Sequence, residues 1–151
     1  MTHGEILECL RGCRLPAWET LPDFGLYMDQ MLTFVARAFP GVSGRLDLTA
    51  SMINNYVKAG MIDKPSGKKY SRESLAQLLM IVQLKLTTPM DMMKTLLHPE
   101  NNTGSQELYQ QFRQYQEQVI AAYESEADAP PLMYALKSSS LQLILRLSSG
   151  Q

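Results

Sequence analysis

The stretch LTASMINNYVKAGMIDKPSGKKYSRESLAQLLMI, Leu48 to Ile81, holds two helix starts, one helix stop and one tight turn. Thr49 precedes a run in which Met52, Ile53, Tyr56 and Val57 share one helical face while Ser51, Asn54, Asn55 and Lys58 fall largely on the others. That spacing predicts an amphipathic helix with Thr49 as its N-cap, ended by Gly60 in a left-handed stop. Met61-Ile62 then leads into Pro65-Ser66-Gly67, and Lys68-Lys69-Tyr70 returns, which predicts a small β-ribbon with a basic tip between residues 61 and 70. Ser71 caps a second helix with Leu75, Leu78, Leu79, Val82 and Leu86 inward. Helix, short ribbon and helix in this order make the layout of a winged helix-turn-helix, where one helix lies in the major groove and the ribbon reaches for backbone or minor groove.

Outward from this block the chain reads as helix almost throughout. Upstream, Asp23 is the expected cap of a helix in which Phe24, Met28, Met31, Val35 and Phe39 recur at helical spacing until Pro40-Gly41; the loop GVSGRLD joins it to Thr49. Thr2 with Glu5 forms a capping box for a first helix that turns Ile6, Cys9, Leu10 and Cys13 inward and stops before Pro16. Downstream, Thr88-Pro89 opens a helix with Pro at its first position and Asp91 bonding back toward the cap. In SQELYQQFRQYQEQVIAAYESE, residues Leu108, Phe112, Tyr115, Val119 and Ala122 alternate in steps of four and three, a coiled-coil-like seam. Two uses of that seam stay open: a homodimer through residues 106–123, or an intramolecular hairpin with the apolar helix that follows Pro130-Pro131. The expected fold is therefore all-α with one small β-ribbon. A single domain, 1–151, has a helix-turn-helix and wing core at 20–97 and a C-terminal hairpin or dimerisation helices at 105–147.

Composition bounds the function. With 45% hydrophobic and 19% charged residues the chain is too apolar for disorder, and no apolar run is long enough to span a bilayer, so a soluble globular protein with no membrane partner is expected. MTHGEILECLRGCRLP lacks the basic-then-apolar layout of a secretory signal, which places the protein in the cytoplasm. Cys9 and Cys13 have only His3 nearby as a third ligand, too few for a metal site. No phosphate-binding glycine loop, zinc motif or nucleophile elbow occurs, and neither His3 nor His98 has a carboxylate or nucleophile partner in sequence; neither an enzyme nor a cofactor is expected.

The net charge of −1 conceals a division along the chain: residues 1–44 sum to −2, residues 45–72 to +4 and residues 73–151 to −3. The positive charge thus collects in the helix–ribbon block, as an electrostatic footprint for phosphate does. Side-by-side asparagines are poor helix formers, and Asn presents a donor and an acceptor together, the combination that reads adenine in a major groove. The site expected for double-stranded DNA comprises Thr49, Ser51, Asn54, Asn55, Tyr56 and Lys58 on the helix, with Lys68, Lys69, Tyr70 and Arg72 on and after the ribbon.

Tyr56, Gly60, Met61, Ile62, Pro65, Tyr70 and Leu75 stand where the DNA-binding head of the mercury-resistance-regulator (MerR) class has a tyrosine ending its recognition helix, a glycine four residues on, a Pro-containing wing and an aromatic opening the next helix. Residues 48–97 resemble that head, which implies a winged-helix transcriptional regulator. Over a longer span, LTASMINNYVKAGMIDKP and KKYSRESLAQLLMI resemble an uncharacterised bacterial family, domain of unknown function 1836, over most of residues 20 to 147; that resemblance implies no activity. A protein-interaction module on the same scaffold, with no DNA binding, is the alternative.

Overall fold

The computed structural model describes residues 2–40, 47–98, 102–126 and 129–150, so most of the GVSGRLD connection lies outside the described residues. Seven described α-helices run in the order α1 (His3–Gly12), α2 (Met28–Ala38), α3 (Ala50–Lys58), α4 (Arg72–Lys85), α5 (Met90–Leu97), α6 (Ser105–Glu124) and α7 (Pro131–Ser148), with a 3-10 turn at Trp18–Thr20. The described residues form no β-sheet, so the all-α expectation stands.

The β-ribbon is replaced by something smaller. Ser66 and Lys69 close a tight turn by exchanging two backbone hydrogen bonds, at 2.9 and 3.1 Å, and Tyr70 pairs not with the outgoing arm but with Leu26. Met61 and Ile62, the expected outgoing arm, are buried in the core, where their side chains gain more than a two-residue ladder would supply.

α4 is the centre of the molecule. Every residue from Ser74 to Val82 is buried, and α4 packs against both α5 and α6. Leu86, expected inward, lies past the end of the helix and is half exposed. The two polar residues inside the helix are satisfied. The Ser74 hydroxyl donates to the Asp63 carbonyl at 3.0 Å; Gln77 accepts from the Asp63 amide at 2.8 Å and donates to the Ser105 hydroxyl at 3.2 Å. Those bonds tie the segment after α3 to the core.

The N-terminal segment straps across α6. Tyr109 donates its hydroxyl to the Pro16 carbonyl at 2.6 Å, Arg113 donates to Leu15, and Gln116 bonds both the Leu15 amide and the Cys13 carbonyl. Positions 109, 113 and 116 share a helical face, so one side of α6 holds this strap. The Thr2–Glu5 capping box forms as expected, but Leu7 and Cys13 are buried while Cys9 is exposed.

α2 begins four residues later than Asp23 predicts, with Tyr27 as its N-cap. Leu26 is engaged with Tyr70, and a Cβ on Gly25 would lie 2.6 Å from Lys69 Cβ, so this stretch is held extended against the turn. Phe24 is exposed as a result, and the Gln30 side chain accepts from the Tyr27 amide to cap the delayed start. At α5, Pro89 is the N-cap instead of the first helical residue, and no side chain caps it.

Candidate nucleic-acid interface

α3 is built as its sequence predicts. Thr49 accepts from the Met52 amide at 3.2 Å, and the helix ends with Gly60 N–H on the Val57 carbonyl and Met61 N–H on the Tyr56 carbonyl, Gly60 standing at φ +76°. This two-bond stop turns Met61 straight into the core. Ile53 and Tyr56 anchor the buried side, which leaves Ser51, Asn54, Asn55 and Lys58 exposed on the other.

The turn at 66–69 stands beside the start of α3. A shallow cleft of about 700 Å³ runs between them, bordered by Ala50, Pro65, Lys68 and Tyr70 and by Tyr27 and Leu32 of the α2 end. α2 packs against α3, so the two candidate elements of a helix-turn-helix are in contact.

The ten residues assigned to DNA divide on inspection. Ser51, Asn54, Asn55, Lys58 and Lys68 are exposed, and Thr49 is exposed beyond its capping bond. Tyr56 and Tyr70, each 5% exposed, belong to the core, a correction to the surface role expected of them. Burial pushes the Tyr56 phenol above its ordinary value. Arg72 is committed elsewhere, with its guanidinium 5.6 Å from the Trp18 ring and 3.5 Å from Asp23. Lys69 crosses Gly25 and holds its ammonium 5.5 Å from the Tyr27 ring. Lys64, which sequence reasoning passed over, is exposed at the start of the turn. Among the described residues no ion pair involves Lys58, Lys64 or Lys68. Position within the turn was the available signal for Lys64.

No group of three or more His, Cys, Asp or Glu that could hold a metal ion occurs among the described residues, and the His3 ring stacks on Tyr123 at 4.5 Å between centroids. Cys13 lines a second cleft of about 450 Å³ with Leu84, Leu97, Phe112, Tyr115 and Val119; burial first and Cys9 second push its thiol above the usual range. The seam of α6 is thus split: Leu108 and Phe112 pack against the core edge, while Tyr115 and Val119 are exposed on the cleft wall. No described helix is long and apolar enough to cross a membrane.

Comparison with curated proteins and with solved structures finds no match to the chain. The profile of one family matches residues 16–125, from the strap before Trp18 through the end of α6, leaving α1 and α7 outside. By that match over most of its length, the chain belongs to the family described as Domain of unknown function (DUF1836).

Proposed function

We propose that this protein is a cytoplasmic DNA-binding protein, a transcriptional regulator of winged helix-turn-helix type resembling the MerR class, with α3 as the recognition helix and the 66–69 turn in the place of a wing. The observation that carries this reading is the exposed face of α3: Ser51, Asn54 and Asn55 side by side, Lys58 at the helix end, and Lys64 and Lys68 uncommitted nearby. Amide side chains on a firmly anchored helix suit base edges, and cations at its flank suit phosphates. The reading assigns no catalytic step and no cofactor.

Selection of bound sequences from a random duplex pool tests it. The expected result is enrichment of one site, lost on Asn54→Ala and Asn55→Ala together. A folded wild type that enriches nothing would overturn it. The second reading, a protein-interaction module, draws on the lining of the cleft beside α3, where Tyr27, Met28, Leu32 and Pro65 present more apolar than polar surface. Under that reading Leu32→Asp abolishes partner capture and the DNA pool stays unselected.

A further inference from the structure

We infer that α7 is a self-association element: two copies of the chain pair their α7 helices antiparallel about a two-fold axis that passes between Ser139 and Ser140.

α7 has no buried residue, yet Leu132, Met133, Leu136, Leu143, Ile144 and Leu147 are 46–71% exposed, and Leu141 is exposed with them. At about 100° per residue the first six occupy one sector roughly 120° wide, and Leu141 lies about 60° beyond its edge. Of the five half-covered positions, Tyr134, Gln142, Leu145 and Ser149 lie on the opposite side and Arg146 flanks the sector; Tyr134 approaches the Tyr123 ring at 6.2 Å, Ser149 approaches the sulfur of Met92 at 3.9 Å, and Lys137, at the other flank, pairs with Glu126 at 3.2 Å. The apolar sector therefore faces away from its own chain. Covering it internally would require rotating the helix by about half a turn and exposing the contacts it now makes.

The order of residues identifies the occupant. Leu132 and Leu147 are equidistant from the point between Ser139 and Ser140, and so are Leu136 and Leu143. A two-fold contact brings position i against j and j against i, so an antiparallel copy sets Leu132 on Leu147 and Leu136 on Leu143 at both ends. The two serines fall at the crossing, where small side chains let helices approach. Lys137 meets Gln142 and Arg146 meets Met133 in this register, so no like charges face each other. A lipid surface imposes no such symmetry, and a helix lying on lipid carries a strongly basic polar face, whereas α7 has only Lys137 and Arg146.

The size is sufficient. A side chain of this type carries on the order of 100 Å² of apolar surface, which leaves roughly 350 Å² exposed per chain on the sector. With an interface core about 65% apolar, that corresponds to roughly 1,100 Å² over both copies, past the roughly 1,000 Å² a specific association needs. The inference stands apart from the DNA reading, since it rests on no residue of α3 or the turn.

Charge reversal with rescue tests the register. Sedimentation of the full chain at micromolar concentration should show a dimer. Leu136→Glu and Leu143→Lys should each give monomers with unchanged circular dichroism, because neither position is buried within the chain. The double variant should restore the dimer, since the introduced carboxylate faces the introduced ammonium of the second copy; a parallel pair would set like against like and stay monomeric. A monomeric wild type overturns the inference. So do single variants that remain dimers, which would move the interface elsewhere, for instance to Tyr115 and Val119. Pelleting of the monomeric wild type with phosphatidylcholine–phosphatidylglycerol vesicles would assign the sector to lipid instead.

Discussion

Asn54 and Asn55 test function against stability with one substitution each. Both are exposed on α3, so alanine improves helix propensity and should raise the melting temperature slightly, by a few tenths of a kcal/mol in stability. If the amides read base edges, the same change should weaken the selected duplex by about 1–3 kcal/mol while leaving random DNA unaffected. Opposite signs in the melt and the binding titration are the expected signature. Cys9 and Cys13 offer a second contrast, four residues apart: Cys9 is exposed, while burial holds the Cys13 thiol protonated above the usual range. Iodoacetamide at mildly alkaline pH should modify Cys9 first, and Cys13 only as the protein unfolds, which mass spectrometry of the peptides reads directly.

At the scale of elements, α4 and α6 hold the molecule by polar bonds as well as by apolar contact. Replacing Gln77 by Leu removes the partners of the Asp63 amide and the Ser105 hydroxyl at once, and should cost about 1–3 kcal/mol in a urea titration. Tyr109 ties α6 to Pro16, and burial raises its phenol well above the free value near pH 10. A raised folded-state pKa means that its contribution is complete below about pH 10 and is lost as pH rises beyond, because the unfolded chain ionises first. Wild type should therefore lose melting temperature more steeply between about pH 9.5 and 11.5 than Tyr109→Phe. At neutral pH the phenylalanine variant should be the less stable, by about 1 kcal/mol. Parallel slopes for the two proteins would show that the ring, not the hydroxyl bond, holds the strap.

Over the whole molecule the charge division of +4 against −2 and −3 limits what one copy can do with nucleic acid. Under the proposed reading, three uncommitted lysines would make few phosphate contacts, so a single head would bind weakly, and pairing of two chains would double the contacts. Replacing Lys58, Lys64 and Lys68 by Gln should flatten the salt dependence of DNA binding by about one unit of slope per lost contact. Arg72→Gln should instead lower stability and leave that slope unchanged, because its guanidinium is occupied by Trp18 and Asp23.

The sequence by itself determined the helical architecture, the caps at Thr2, Thr49 and Ser71, and the exposed face of α3. Each of these follows from periodicity or from a hydrogen bond between residues three or four apart, and such interactions are written locally. Only the tertiary structure decided the fate of residues whose partners are distant in the chain. Leu26 takes the backbone of Tyr70, so α2 starts late and the ribbon never forms; Trp18 and Asp23 occupy Arg72; and Tyr56 and Tyr70 go inward. Aromatic rings and arginine are equally at home at a nucleic-acid surface and in a core, and their side-chain chemistry is the same in both, so the choice passes to whichever partner the fold brings within reach.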